Sequence, residues 1–451
     1  MRSHFNPAAC IGLVLSLSAW SAGAAVTTDE AAKLKTTLTP FGGEKAGNKE
    51  GTIPAWTGGM YDPGVKTPGR LPDPFAGEKP LFSITAKNMD QYADKLNEGT
   101  KAMLKRYPTF RVDVYTTHRT AAAPQFVYDN TYKNATRASL VEGAAGPQPQ
   151  GAIGGVPFPI PKTGSELMWN FKLNWHWGIS LVEHCKNYLV TAEGKQVLLS
   201  RLDTSIAQPY YIEGDRNPNL QFTVKAITTA PPIRAGEGTI THYDIDESKT
   251  QSWIYLTGQR RVRKLPNPCC DTPAPFAAGA STFDELSVFN GDMSRFDWTL
   301  VGKKEMYIPY NSNRVLTPTK DTDIFTGIHV NPDHVRWELH RVWVVEANLK
   351  PGQRHTSVKS RYYLDEDSYV ASLGDRWDAQ GQLARVLFKI PVIIPETGQI
   401  YGTVGGVYDM IRGTSYVGFV FNDESVQITP LSKPLPPATF SPDSLAGEGV
   451  R

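Results

Sequence analysis

From residue 110 onward the chain is a succession of short segments in which apolar and polar residues alternate, each bounded by turn-forming residues. This pattern constrains the fold more than any other feature of the sequence. "FRVDVY" (110–115), "NYLVTAEGKQVLLSRL" (187–202) with its Glu-Gly turn, "QFTVKAI" (221–227), "GTITHYDID" (238–246) and "SWIYLTGQRRVRKL" (252–265) carry strand signal. So do "VRWELHRVWVVEANL" (335–349), "SRYYLDED" (360–367), "QLARVLFKIPVII" (382–394) and "TSYVGFVFN" (414–422). Many short antiparallel strands joined by turns predict a mainly β barrel or sandwich with few helices. "MWNFKLNWHWG" (168–178) is read as a further strand, with Trp169, Phe171, Leu173, Trp175 and Trp177 on one apolar face.

The remaining segments frame this β domain. "NMDQYADKLNEGTKAMLKRYP" (88–108) has apolar residues at helical spacing, Asn88 as its cap and Pro108 as its stop, and predicts one amphipathic helix. Residues 25–80, rich in Gly, Pro and charge, read as an extended arm over the domain that spans 81–422; residues 423–451 read as a loose tail. "YDIDES" (243–248) and "YYLDED" (362–367) each end a strand, a weak echo that would fit two related sheet halves.

Residues 1–24 combine Arg2, an apolar run from Ala8 to Trp20 and small residues at Ala22 and Ala24, the pattern of a cleavable secretory signal. Cys10 precedes the apolar run and lacks a lipidation context, so the expected product is a soluble, non-lipidated periplasmic chain. No later stretch approaches the length of a spanning helix. With 34 prolines, an amphipathic helix, irregular strand spacing and a "GEGVR" ending, the sequence does not resemble an outer-membrane barrel. Beyond residue 24 there are 46 basic and 45 acidic residues, so bulk charge selects neither nucleic acid nor an anionic membrane. Three cysteines remain, and the sequence leaves open one bridge from Cys185 to either Cys269 or Cys270, or free buried thiols.

Catalytic signatures are sparse. No G-x-S-x-G elbow, P-loop, dinucleotide fingerprint or H-E-x-x-H occurs, and no cofactor is implied. Glu183, His184 and Cys185 are consecutive on a strand and therefore alternate between faces, which excludes a Cys-His nucleophile pair. In "HVNPDHVRWELH", His334, Arg336, Glu338 and His340 share a strand face, but Arg336 would repel a metal ion; the row is read as a polar face toward solvent.

Several stretches together resemble one bacterial family: "LTPFGGEKAGNKEGTIPAWTGG", "YADKLNEGTKAMLKRYP", "GGVPFPIP", "GQRRVRKLP", "FNGDMSRFDWTLVGKKEMYIPYN", "NPDHVRWELHRVWVVEANLKPGQRH" and "YYLDEDSYVASLGDRWDAQGQL". They are similar to the domain of unknown function 1329 family, outer-membrane lipoprotein-sorting-like proteins placed in the LolA/LolB-like superfamily, and the similarity runs from about Leu38 to about Phe421. The resemblance implies an unclosed, strongly curved antiparallel β-barrel, with a helix packed on its concave side and an apolar interior. It also implies a non-enzymatic carrier of a hydrophobic small molecule or lipid, in transient membrane contact and working beside an RND-type transporter and an outer-membrane protein. A scaffold of an envelope complex and an enzyme acting on a lipid-like substrate are the alternatives.

On such a fold the aromatic face of 168–178 would either line the concavity or pack as core, since a dry core and an apolar cavity write the same alternation. Trp169, Phe171, Trp175 and Trp177 are candidate ligand contacts, together with Trp253, Tyr255, Trp337 and Trp343 on similar strands and Phe158 on a stiff, proline-rich rim loop. Arg261 and Arg263 share a strand face and would either hold an anionic head group or form a solvated face answered by Asp244 and Asp246.

Overall fold

The computed structural model describes residues 26–66, 69–212, 214, 219–265 and 269–448. The secretory signal expected at 1–24 lies outside the described residues. Two six-stranded antiparallel meanders form the body. The first comprises β5 (Ser180–Val190), β6 (Gln196–Ala207), β7 (Leu220–Ala230), β8 (Gly238–Asp244), β9 (Gln251–Leu256) and β10 (Arg261–Leu265). The second comprises β14 (Trp337–Leu349), β15 (Lys359–Asp365), β16 (Ala371–Trp377), β17 (Leu383–Ile394), β18 (Gln399–Asp409) and β19 (Thr414–Val420). Pairing of β19 with β5 joins them into one sheet.

Shorter strands extend that sheet. β1 (Phe82–Ile84) and β2 (Val112–Val114) continue it beyond β14, β11 (Phe296–Pro309) also pairs with β14, and β20 (Ile428–Leu431) pairs with β5. The resulting 16-stranded sheet has β1 at one edge and β10 at the other, and these edges do not meet. It is a curled sheet that stays open. Two hairpins, β3 (Ser139–Gly143) with β4 (Gly146–Gln150) and β12 (Phe325–Thr326) with β13 (His329–Val330), lie off it. The helices are α1 (Thr28–Ala32), α2 (Glu98–Arg106), α3 (Gln125–Arg137), α4 (Gly164–Lys172) and α5 (Asp443–Glu448).

Two large apolar clusters meet on opposite faces of β17. On β17, Val386, Phe388 and Val392 pack in the core that includes Met103 and Leu104 of α2, whereas Leu387 belongs with Leu167, Met168 and Trp169 of α4. α4 therefore covers the inner face of the curl, and α2 packs on the other side. Segment 269–295 also reaches the inner face, held by Asp284, which accepts hydrogen bonds from Arg376 (2.7 Å) and His355 (2.9 Å). Burial would raise the Asp284 carboxyl, but the Arg376 charge and His355 hold it well below the usual carboxylate range.

The structure corrects several expectations. Residues 168–178 are not a strand: the chain is helical through Lys172 and then turns. Thr163 and Glu166 form a capping box that starts α4 and outweighs the two-residue alternation. The predicted helix over 88–108 is split, with a 3-10 turn at Met89–Lys95 followed by α2; Asn97, not Asn88, caps α2. The tail is anchored, because β20 joins the sheet and Leu445 of α5 is buried against Ile240 and Tyr255. The cysteine bridge joins neighbours Cys269 and Cys270, leaving Cys185 a free buried thiol. The echoed motifs end the fourth strand of one meander and the second of the other, so they do not mark equivalent positions.

The row at 334–340 is also different from its reading as a solvent-facing face. His334 lies in a 3-10 turn before β14, while Arg336, Glu338 and His340 are buried in an ion-pair network. His340 bonds Asp365 through Nδ1 (3.0 Å) and Glu338 through Nε2 (3.1 Å), and Arg336 pairs with Glu338 and with Glu78. Burial opposes the His340 charge, but the hydrogen bonds to Asp365 and Glu338 prevail and raise its pKa to about 9.

Candidate functional site

Between the first meander, the C-terminal part of α4 and segment 269–295 lies a cleft of about 200 Å³, predominantly apolar in its lining. Strand alternation builds one wall: Leu202, Thr204 and Ile206 of β6, Phe222, Val224, Ala226 and Thr228 of β7, Thr239, Thr241 and Tyr243 of β8, and Ser252 and Ile254 of β9 all face it. Three rings form a ladder along this wall. Trp177 lies over Phe222 with centroids 4.2 Å apart, and Phe222 stacks on Tyr243, also at 4.2 Å. Phe276, Phe283 and Phe289 of segment 269–295 contribute to the opposite side. Such a surface suits an apolar ligand and offers aromatic contact area without demanding a fixed hydrogen-bond pattern.

One end of the cleft is polar. Glu183 of β5, Lys389 of β17, Tyr401 of β18 and His176, in the turn after α4, meet there. The Tyr401 hydroxyl donates to Glu183 Oε2, and the His176 ring stacks on Tyr401 at 5.3 Å. His176 Nδ1 lies 3.2 Å from the Ile400 carbonyl, a contact that places the proton on Nδ1. Burial, with the Lys389 charge in support, lowers the His176 pKa to about 3, so the ring is neutral. Burial lowers Lys389 to about 8 against the opposing pull of Glu183, and raises the Glu183 carboxyl.

The candidate residues separate clearly. Phe171 and Trp177 line the cleft. Trp169 and Trp175 are core: their indole N–H groups donate to Pro147 O (2.7 Å) and Thr397 O (3.0 Å), and both pack in the cluster under α4. Phe158 does not stand on a rim; it is buried, and its backbone exchanges two hydrogen bonds with the Asn170 side chain of α4. Trp253 and Tyr255 point to the other face of β9, in the cluster closed by Leu445 of α5, because the cleft takes the even-numbered residues of that strand. Trp337 sits in the core on the α2 side, and Trp343 packs at the inner-face cluster with Lys303 over its ring at 4.5 Å; neither reaches the cleft.

Arg261 and Arg263 are exposed on edge strand β10, on the same side as Leu265, which does reach the cleft. Asp246, offered as a counter-charge for them, pairs instead with Lys249 (3.2 Å). The reading of the sequence did not pick out Phe222, Tyr243, Lys389 or Tyr401. The parity of β7 and β8 carried the first two, and a single lysine inside the apolar run "VLFKIPVII" carried the third.

An open, curled antiparallel sheet around an apolar cleft defines this protein as a mainly β protein of barrel-like form. The profile of the family described as "Protein of unknown function (DUF1329)" matches residues 83–446, and the chain belongs to that family. An uncharacterized protein of Pseudomonas aeruginosa is 40% identical over 457 residues, covering 97% of each chain. Among solved structures, a putative outer membrane lipoprotein-sorting protein domain from Vibrio parahaemolyticus is similar at 13% identity and a TM-score of 0.43, covering 62% of this chain and 97% of that one. A DUF1329 family protein from Desulfovibrio piger is similar at 14% identity and a TM-score of 0.41, with 62% and 97% covered. A LolA superfamily protein from Nitrosomonas europaea is similar at 10% identity and a TM-score of 0.36, with 63% and 100% covered. At these scores the matches say nothing about function. Among the described residues, no helix is long and apolar enough to cross a membrane.

Proposed function

We propose that this protein is a periplasmic carrier that holds a hydrophobic, lipid-like molecule in its cleft and moves it between the membranes of the envelope, beside an RND-type transporter. The aromatic ladder Trp177–Phe222–Tyr243, set in a wall of Leu202, Ile206, Val224 and Ala226, is the observation that carries this reading. A surface of this kind gains free energy by removing apolar area from water, on the order of 25 cal/mol per Å². Transfer then needs no chemistry, only an acceptor of higher affinity or a coupled transporter.

A titration with the neutral, apolar probe N-phenyl-1-naphthylamine tests the reading, since Trp177 lies in the cleft wall and its emission reports a bound chromophore. The carrier reading predicts saturable binding at about one probe per chain, abolished when Val224→Trp fills the cleft. Absence of saturable binding, or binding untouched by that substitution, overturns it.

A further inference from the structure

The polar end of the cleft is built around a lysine, and several parts of the fold are arranged to seat it. Lys389 leaves β17 opposite Gly405 of β18, and its stem crosses β18. A Cβ at Gly402 would lie 2.7 Å from Lys389 Cε and 2.8 Å from Cγ, and one at Gly405 would lie 2.6 Å from Cδ; only glycine leaves room for the stem at these two positions. The amine ends 3.7 Å above the Phe419 ring. Phe419 sits where the β19–β5 register slips, with φ at 57°, a left-handed conformation that a bulky side chain rarely adopts. Such strain persists where the surroundings enforce it, and it is characteristic of ligand sites.

The other cations of the cleft have partners. Lys172 pairs with Glu247, and Arg234 pairs with Glu237 at 2.9 Å. Lys389, only 3% exposed, makes no hydrogen bond and no ion pair within 4 Å among the described residues. The nearby Glu183 pulls on it through space but makes no ion pair with it within 4 Å: one oxygen takes the Tyr401 hydroxyl, and the other, Oε1, is buried with no hydrogen-bond partner. A buried ammonium that rests on an aromatic face and has no carboxylate in contact with it is incompletely satisfied, and leaving it so is costly.

From this geometry we infer that the cargo is amphipathic: an apolar body along the aromatic ladder and a single carboxylate that docks on the Lys389 amine. The inference rests on the carrier reading and specifies its ligand class. A phosphate head group fits less well, because it carries up to two charges and takes several donors, typically an arginine fork, whereas one lysine offers one point charge.

Isothermal titration with palmitate and with its neutral methyl ester, on the wild-type chain and on Lys389→Met, tests this. The wild type is expected to bind palmitate about tenfold or more tightly than the ester, the gain of one buried charge-assisted hydrogen bond. In Lys389→Met the two should bind alike, with ester affinity retained. Equal binding of acid and ester by the wild type, or a preference that survives in Lys389→Met, overturns the inference and leaves the carrier reading standing. Failure of both probes to bind overturns both. If the variant does not fold, the acid-to-ester ratio in the wild type still decides between a carboxylate-selective and an indifferent cleft.

Discussion

Replacing His340 with Gln should remove a pH-dependent component of stability whose sign and size follow from the buried network. In the folded chain His340 is charged between Glu338 and Asp365, with a pKa of about 9 against an ordinary 6.5. A folded value above the unfolded one stabilises fully below pH 6.5, and that stabilisation is lost as pH rises through about 9. The difference corresponds to roughly 3 kcal/mol. Lys389 acts in the opposite direction at higher pH, because its folded value is lowered to about 8. The diagnostic is therefore the difference between wild type and His340→Gln, measured by urea unfolding at pH 6 and at pH 9.5. The variant should be less stable by roughly 3 kcal/mol at pH 6, and the gap should narrow substantially at pH 9.5. A gap that is constant with pH, or that widens at high pH, would refute the assignment of a charged, ion-paired His340.

Three further outcomes are expected. Chain beginning at residue 25 should show no thiol reactive to Ellman's reagent when native, one when unfolded without reductant and three after reduction, since Cys185 is buried and Cys269 and Cys270 are bonded to each other; one reactive thiol from the 269–270 pair in the native state would contradict the pairing. Thr163→Ala should cost about 1 kcal/mol by removing the α4 cap, read as a lower urea midpoint; an unchanged midpoint would mean that the cap adds nothing. Gly402→Ala should weaken palmitate binding while sparing the methyl ester, because the added methyl displaces the Lys389 stem; equal losses for both probes would indicate general damage to the cleft.

How much of this was legible in the sequence depends on which force set each element. Strands β6 and β7 are legible because large apolar residues such as Leu202, Ile206, Phe222 and Val224 alternate with polar ones along them. β16 and β18, buried on both faces by the layers around them, lack a clean alternation, and their assignment needs the tertiary context. Residues 168–178 misled for the opposite reason: five large residues at odd positions imitate a strand, yet "TGSE" at 163–166 is a capping box, and the proline-rich stretch before it leaves a helix free to start there. Within the site, Trp177 and Phe171 were visible as large apolar residues. Trp253 and Tyr255 were placed on the cleft because aromatic size suggested a ligand wall, but the face they occupy is set by parity and is covered by α5, which no local pattern reveals. Lys389 gains its significance from Gly402, Gly405 and Phe419, residues brought together only by the β17–β18–β19 pairing.

Carriage of a hydrophobic molecule in the cleft is tested most directly by native mass spectrometry of the protein purified from its own cells without detergent, followed by solvent extraction. The carrier reading predicts a discrete bound mass, extractable into organic solvent, that is absent from Val224→Trp. A chain that is ligand-free in both forms, or a bound mass equally present in the filled variant, would contradict it.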